Sequence, residues 1–150
     1  MPERLQVEYA ALTDVGRKRA HNEDSFKVAP DEGLYLVADG MGGHRAGEVA
    51  SQLATTTVTA FFDSTMREDA TWPFHYDPTL SVEENRLITS IKVANRSIYE
   101  QGARAADHRG MGTTFVGALV RHGAAWVAHV GDSRGYLVRS AGSIEPLTTD

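Results

Sequence analysis

The sequence has no cysteine, which excludes disulfides, thiolate metal sites and cysteine nucleophiles together. No apolar run approaches the length of a membrane helix, and the polar N-terminus lacks the apolar segment of a signal peptide. No membrane association is expected, and the simplest compartment is the cytoplasm. Positive charge is not in excess either. The formal net charge is −5 and basic residues come in short groups such as Arg17-Lys18-Arg19, so nucleic acid is not an expected partner.

Several chemical signatures are missing as well. No two histidines stand at the i, i+4 spacing of a helical zinc site. Ser133, within Gly131-Asp132-Ser133-Arg134-Gly135, has no base in sequence beside it to activate it as a serine-hydrolase nucleophile. A nucleotide-binding Gly-x-Gly-x-x-Gly begins at Gly40-Met41-Gly42 but fails at its third glycine, where Arg45 stands. No Gly-Lys-Ser/Thr occurs, and no repeat or low-complexity tract.

What remains is an ordinary globular composition. The chain has 150 residues, 41% apolar and 23% charged, enough for one domain, residues 1–150, with a real core. Strands are expected at Gln6 to Leu12, Ser25 to Ala29 and Leu34 to Ala38. The last is continuously apolar, which predicts cover on both faces. A helix is expected from Ala46, with Val49, Leu53, Thr57 and Phe61 as its stripe and Ala50 and Ala54 beside them. Residues 63–80, with Pro73, Pro78, Trp72, Phe74 and Tyr76, read as a long connecting loop with aromatic anchoring.

Ser81-Val82-Glu83-Glu84 is a capping box in which Ser81 and Glu84 satisfy each other's amides. The helix it opens carries Leu87, Ile91, Ala94 and Ile98 to about Ala103. Strand-like runs follow at Thr113 to Val120, Ala124 to Val130, Gly135 to Arg139 and Ile144 to Leu147, with a hairpin turn at His122-Gly123. Strands, two helices and then an antiparallel meander predict an α+β fold, helices packed on antiparallel sheet.

The chemistry concentrates in three acidic segments. Asp39 lies in Ala38-Asp39-Gly40-Met41-Gly42-Gly43 and Asp132 in Val130-Gly131-Asp132-Ser133-Arg134. Each is expected in a turn at the end of an apolar strand, with glycines that leave the backbone open. The third segment is Arg19-Ala20-His21-Asn22-Glu23-Asp24. If extended, its two carboxylates alternate faces, so that one meets a metal and the other supports it. Carboxylates beside bare glycine carbonyls suit Mg²⁺ or Mn²⁺. Arg19 can grip a phosphate with two parallel hydrogen bonds. A turn dipeptide, a structural ion pair or a solvated charge run explains each segment singly. His21 and His44 are candidate proton donors beside these segments, whereas His129 reads as a packed core residue.

Together the segments resemble the metal-dependent protein phosphatase family (PPM, the type 2C serine/threonine phosphatases), its bacterial members in particular. Gly16-Arg17-Lys18-Arg19-Ala20-His21-Asn22-Glu23-Asp24-Ser25 resembles the family's Arg-x-x-Asn-Glu-Asp opening. Val37 to His44 resembles its Asp-Gly-Met-Gly-Gly motif, Gly110-Met111-Gly112-Thr113-Thr114 its glycine-threonine strand start, and Val130 to Arg134 its Gly-Asp-Ser-Arg motif. The resemblance spans Tyr9 to Asp150.

It implies an antiparallel β-sandwich flanked by helices, and hydrolysis of phosphoserine and phosphothreonine in proteins by a metal-activated water. It implies two Mg²⁺ or Mn²⁺ ions, with a third in many members, bridged by Asp39 and helped by the carbonyl of Gly40. Glu23 and Asp24 would orient bound waters, Asp132 would help hold the third ion, and Arg19 would take the substrate phosphate. A cognate protein kinase and its substrates are the implied partners. Met41 stands where many eukaryotic members carry a histidine, which leaves the general acid unassigned. Complete family domains run further and carry two late aspartates. The resemblance therefore implies an incomplete domain lacking its C-terminal part, inactive alone. The alternative is a pseudophosphatase that binds phosphoproteins or a kinase as a regulatory module.

Overall fold

The computed structural model describes residues 6–43, 45–67, 72 and 75–150. Elements run in the order β1 (Asp24–Ala29), β2 (Leu34–Met41), α1 (Ala46–Arg67), α2 (Val82–Arg104), a short 3-10 helix (Ala106–His108), β3 (Gly112–Thr113), β4 (Phe115–Arg121), β5 (Ala124–Val130), β6 (Tyr136–Val138) and β7 (Ile144–Pro146). The main sheet is antiparallel in the order β1-β2-β4-β5, with β3 also on β2, and β6 and β7 form a separate hairpin. This is the α+β arrangement expected. No helix among the described residues is long and apolar enough to cross a membrane.

Both long helices lie on one side of the sheet. Leu34 and Leu36 of β2, Phe115 and Leu119 of β4, Val58 and Phe62 of α1, and Leu87 and Ala94 of α2 form one buried cluster. The buried seam of α1 is Ala46, Ala50, Ala54, Val58 and Phe62, with Ser51 and Thr55. Val49, Leu53 and Thr57, expected on the seam, are half-buried. The true stripe is rotated by one residue because small alanines let the helix sit close on the strands.

The closest approach is at Gly40 and Gly47. A Cβ on Gly40 would lie 1.8 Å from the Gly47 carbonyl oxygen, and one on Gly47 would lie 2.0 Å from Glu23 Oε2. Strand and helix start thus meet backbone to backbone, and no side chain fits between them.

β2 does not have both faces covered, as its continuous apolarity predicts. Burial alternates along it, with Leu34, Leu36, Ala38 and Gly40 inside and Val37, Asp39 and Met41 exposed. The helices cover one face only. Cross-strand pairing places Phe26, Val37, Val116 and His129 in a row on the other. His129 is accordingly half-buried rather than in the core, and its Nδ1 has no hydrogen-bond partner.

Two further expectations change. Gln6 to Leu12 is not a strand: no described strand pairs with it, and its side chains are exposed. It touches the open face through Tyr9, whose ring lies 5.8 Å from that of Tyr35. The helix α1 continues to Arg67, so it takes up the first turn of the stretch 63–80. Pro73 and Phe74 lie outside the described residues. Trp72 packs edge-on against Phe61 and Tyr76, with centroids at 5.7 and 5.2 Å. Arg86 lies over Phe62 and Trp72 and donates to the Thr65 hydroxyl at 3.0 Å. Burial holds its guanidinium below the usual arginine range.

Ser81 does cap α2. Its hydroxyl accepts from the Glu84 amide at 3.1 Å. The return bond differs from a full capping box, because the Glu84 carboxylate takes the Ser81 hydroxyl and not its amide. His122 and Gly123 turn β4 into β5 with φ of 53° and 75°, the paired left-handed geometry of a two-residue hairpin.

Candidate metal and phosphate centre

Asp39 is in a strand and not in a turn. β2 runs on through Gly40 and Met41 because β3 pairs with both, Gly40 with Thr113 and Met41 with Gly112. On the other side of β2, Asp39 stands directly opposite Asp24 of β1. Residues paired across an antiparallel ladder project to the same face, so the two carboxylates meet on the open side of the sheet.

The electrostatics record that meeting. The Asp39 carboxyl is held above the usual aspartate range, first by partial desolvation, then by the hydrogen bond and charge of Asp24. Asp132 pushes in the same direction and Arg19 opposes both. Three of the residues singled out in the sequence, from two other segments, thus act on the Asp39 carboxyl.

Glu23 takes the other side, as alternation predicts. Its backbone carbonyl accepts from the Gly40 amide at 3.0 Å. Its carboxylate lies against Gly47 at the start of α1, where a helix N-terminus favours negative charge. Glu23 therefore pins the Asp39-Gly40 backbone from the helix side, while Asp24 faces Asp39. The Asn22 side chain sets up this opening. It donates to the Thr13 hydroxyl at 2.7 Å and accepts from the Asp24 amide at 3.0 Å. Arg19 is exposed on the loop between these anchors. His21 is also exposed, and His44 lies outside the described residues.

Sequence reasoning left Thr114 without a role of its own. Its amide donates to the Asp39 carbonyl at 2.9 Å, and its hydroxyl accepts from the Asp39 amide at 3.1 Å. The same hydroxyl is 2.5 Å from that of Ser133. Only the repeated threonine after Gly112 hinted at it. In the turn beyond, Arg134 holds Asp150 with bonds of 3.0 and 2.6 Å. That pairing lowers the Asp150 carboxyl and raises the Arg134 guanidinium, so Arg134 is tied to Asp150 and not to its near neighbour Asp132.

The donors gathered here are hard oxygens, and the mutual strain on the Asp24–Asp39 pair is what a dication relieves. In chemistry the site fits Mg²⁺ or Mn²⁺. Among the described residues, however, no three His, Cys, Asp or Glu side chains cluster closely enough to enclose a metal by themselves.

Comparison with known proteins finds phosphatases. The family model for protein phosphatase 2C matches residues 15–150. The chain is 36% identical to serine/threonine phosphatase stp of Listeria welshimeri over 146 residues, covering 92% of this chain and 52% of that protein. It is 37% identical to serine/threonine protein phosphatase PstP of Mycobacterium tuberculosis, covering 97% of this chain and 25% of that protein. Among solved structures, the PstP catalytic domain in complex with two manganese ions superposes with a TM-score of 0.72 at 36% identity, covering 91% of this chain and 53% of that one. Stp1 from Staphylococcus aureus gives 0.74 at 35%, covering 93% and 52%. The chain spans about half the length of the stp relative and of these solved chains. With a family match over residues 15–150, the chain belongs to the protein phosphatase 2C family.

Proposed function

We propose that this chain carries the phosphate- and metal-handling half of a cytoplasmic, metal-dependent serine/threonine phosphoprotein phosphatase. The observation that carries the reading is the pairing of Asp24 with Asp39 across the β1–β2 ladder, with the charges of Asp132 and Arg19 also felt at the Asp39 carboxyl, in a chain whose relatives are serine/threonine phosphatases. Asp39 and the Gly40 carbonyl would hold Mg²⁺ or Mn²⁺, with Asp24 and Asp132 contributing and Glu23 supporting from behind. Bound dications supply Lewis-acid polarisation of the phosphoryl group and activation of water.

The residues of this chain do the rest. Arg19 orients the substrate phosphate through its planar fork. Asp24 and Asp39 concentrate negative charge where cations must sit. The Glu23 carbonyl and Thr114 hold the Asp39-Gly40 backbone still, which is how binding geometry is turned into rate. The substrates of this reading are phosphoserine and phosphothreonine proteins, those of a cognate kinase among them.

The test is phosphate release from a phosphothreonine peptide, with Mn²⁺ and with EDTA. It is run on the 150 residues alone and within a protein of the relatives' length, each beside Asp39→Asn. Mn²⁺-dependent release by the longer protein, lost in the variant, supports the reading. Release that ignores Mn²⁺ or survives the substitution overturns it. Phosphopeptide binding without turnover in the longer protein identifies the regulatory-module alternative.

A further inference from the structure

Thr114 touches two of the three acidic segments, those of Asp39 and Asp132. Counting along the β2 register places it opposite Asp39, between the pairs Gly40–Thr113 and Val37–Val116. A regular ladder there would have the Asp39 amide donate to the Thr114 carbonyl. Instead the Thr113 hydroxyl takes that carbonyl at 2.7 Å, and the Thr114 hydroxyl receives the Asp39 amide. A side-chain oxygen thus replaces a backbone oxygen at the one ladder position that carries the site.

The same side chain holds the second acidic turn on both sides of Asp132. Its hydroxyl bonds to Ser133. Its methyl packs where Gly131 leaves room, since a Cβ on Gly131 would come within 2.9 Å of Thr114 Cγ2. The residue is 6% exposed, so water does not compete well for these bonds. One hydroxyl can accept from an amide and still donate to, or accept from, a second hydroxyl, so no group is left over in this arrangement.

We infer that Thr114 is a positioning residue that sets the spacing between Asp39 and Asp132, so that both carboxylates act on the same cation group. This rests on the metal-centre reading above and adds that the coupling runs through the Thr114–Ser133 hydroxyl pair. Without it, Asp39 stays on its strand while the Gly131-Asp132-Ser133 turn is free to swing.

The experiment is a Mn²⁺ titration of the full 150-residue chain followed by amide NMR, because the paramagnetic ion broadens resonances near it even when binding is weak. In the parent chain the Asp39 and Asp132 amides are expected to broaden with one common midpoint. In Thr114→Val the two midpoints separate by threefold or more, and in Thr114→Ser they stay together. Ser133→Ala leaves the Asp39 clamp intact and keeps the test open if the valine variant does not fold. It moves the Asp132 midpoint while the Asp39 midpoint stays. Common midpoints in both Thr114→Val and Ser133→Ala overturn the inference, whatever happens to melting temperature. Failure of either amide to broaden in the parent chain is the separate result that removes the metal centre and this role with it.

Discussion

Asp24 and Asp39 face each other as the last pair of the β1–β2 ladder, where the opposite edge of β2 takes up β3 at the next residue, Gly40. Like charges directly opposite in a sheet are destabilising, and partial desolvation, with the hydrogen bond and charge of Asp24, holds the Asp39 carboxyl above the usual aspartate range. A pair so placed weakens the fold unless a cation joins it. On the proposed function, the pair would trade stability for cation binding.

That trade sets a signed expectation. Asp39 binds its proton more tightly in the folded chain than in the unfolded one. Its contribution to stability is then fully present below the unfolded pKa and is lost as pH rises through the folded value. In metal-free buffer at neutral pH, Asp39→Asn should raise the melting temperature by about 1–2 °C, after allowance for solvent screening at a largely open site. The gain should vanish toward pH 3, where the parent carboxyl is also neutral. Differential scanning calorimetry at both pH values decides this, and a variant that melts below its parent at neutral pH would contradict it.

Arg19 offers a different handle, because it is exposed and forms no ion pair among the described residues. Arg19→Ala should weaken inhibition by a phosphate analogue roughly tenfold to a hundredfold, the cost of one charge-assisted bond. Mn²⁺ affinity should stay close to that of the parent. Arg19→Lys should recover only part of the loss, since lysine lacks the fork. Unchanged inhibition in the alanine variant would make Arg19 a solvated charge and nothing more.

Gly40 tests how the site is seated on the helix layer. A methyl group there meets the Gly47 carbonyl oxygen at 1.8 Å, and Gly40 is held in place by its amide's bond to the Glu23 carbonyl. Gly40→Ala should cost about 3 kcal/mol, read from the urea midpoint. A cost below about 0.5 kcal/mol would mean that strand and helix are not in direct contact.

The segment before α2 depends on one buried amide. The Asn85 side chain accepts from the Asp77 amide at 2.8 Å and donates to the carbonyls of Asp77 and Ser81 at 2.8 and 3.0 Å. Asn85→Ala leaves the Asp77 amide without a partner, while the Asp77 and Ser81 carbonyls keep the backbone amides of Leu80 and residue 85, and should cost about 1–3 kcal/mol. Hydrogen exchange should show the loss first at the Asp77 amide. Unaltered exchange there would remove Asn85 from this role.

The helices and the late strands were legible because each carries a local cause. The serine cap and the Leu87 stripe define α2, and paired left-handed residues at 122 and 123 define the β4–β5 hairpin. The acidic segments were legible by chemistry, but their setting was not. That β2 runs on past Asp39 through Gly40 and Met41 depends on β3, which arrives from more than seventy residues away. The true α1 seam depends on how closely alanines let it approach the sheet. The Thr114 hydroxyl bonds depend on a register that no local pattern reveals. Gln6 to Leu12 failed as a strand because a segment's own residues do not show whether a partner strand is there, and no described strand pairs with it.

The most direct measurement of the central claim is a calorimetric titration of Mn²⁺ into the parent chain and into Asp39→Asn. The claim is that the opposed carboxylates Asp24 and Asp39 form the cation-binding centre. It predicts weak, saturable uptake by the parent, because this chain gathers few carboxylates around the site, and no uptake by the variant. Equal heats from the two proteins, or no uptake by the parent, would contradict it.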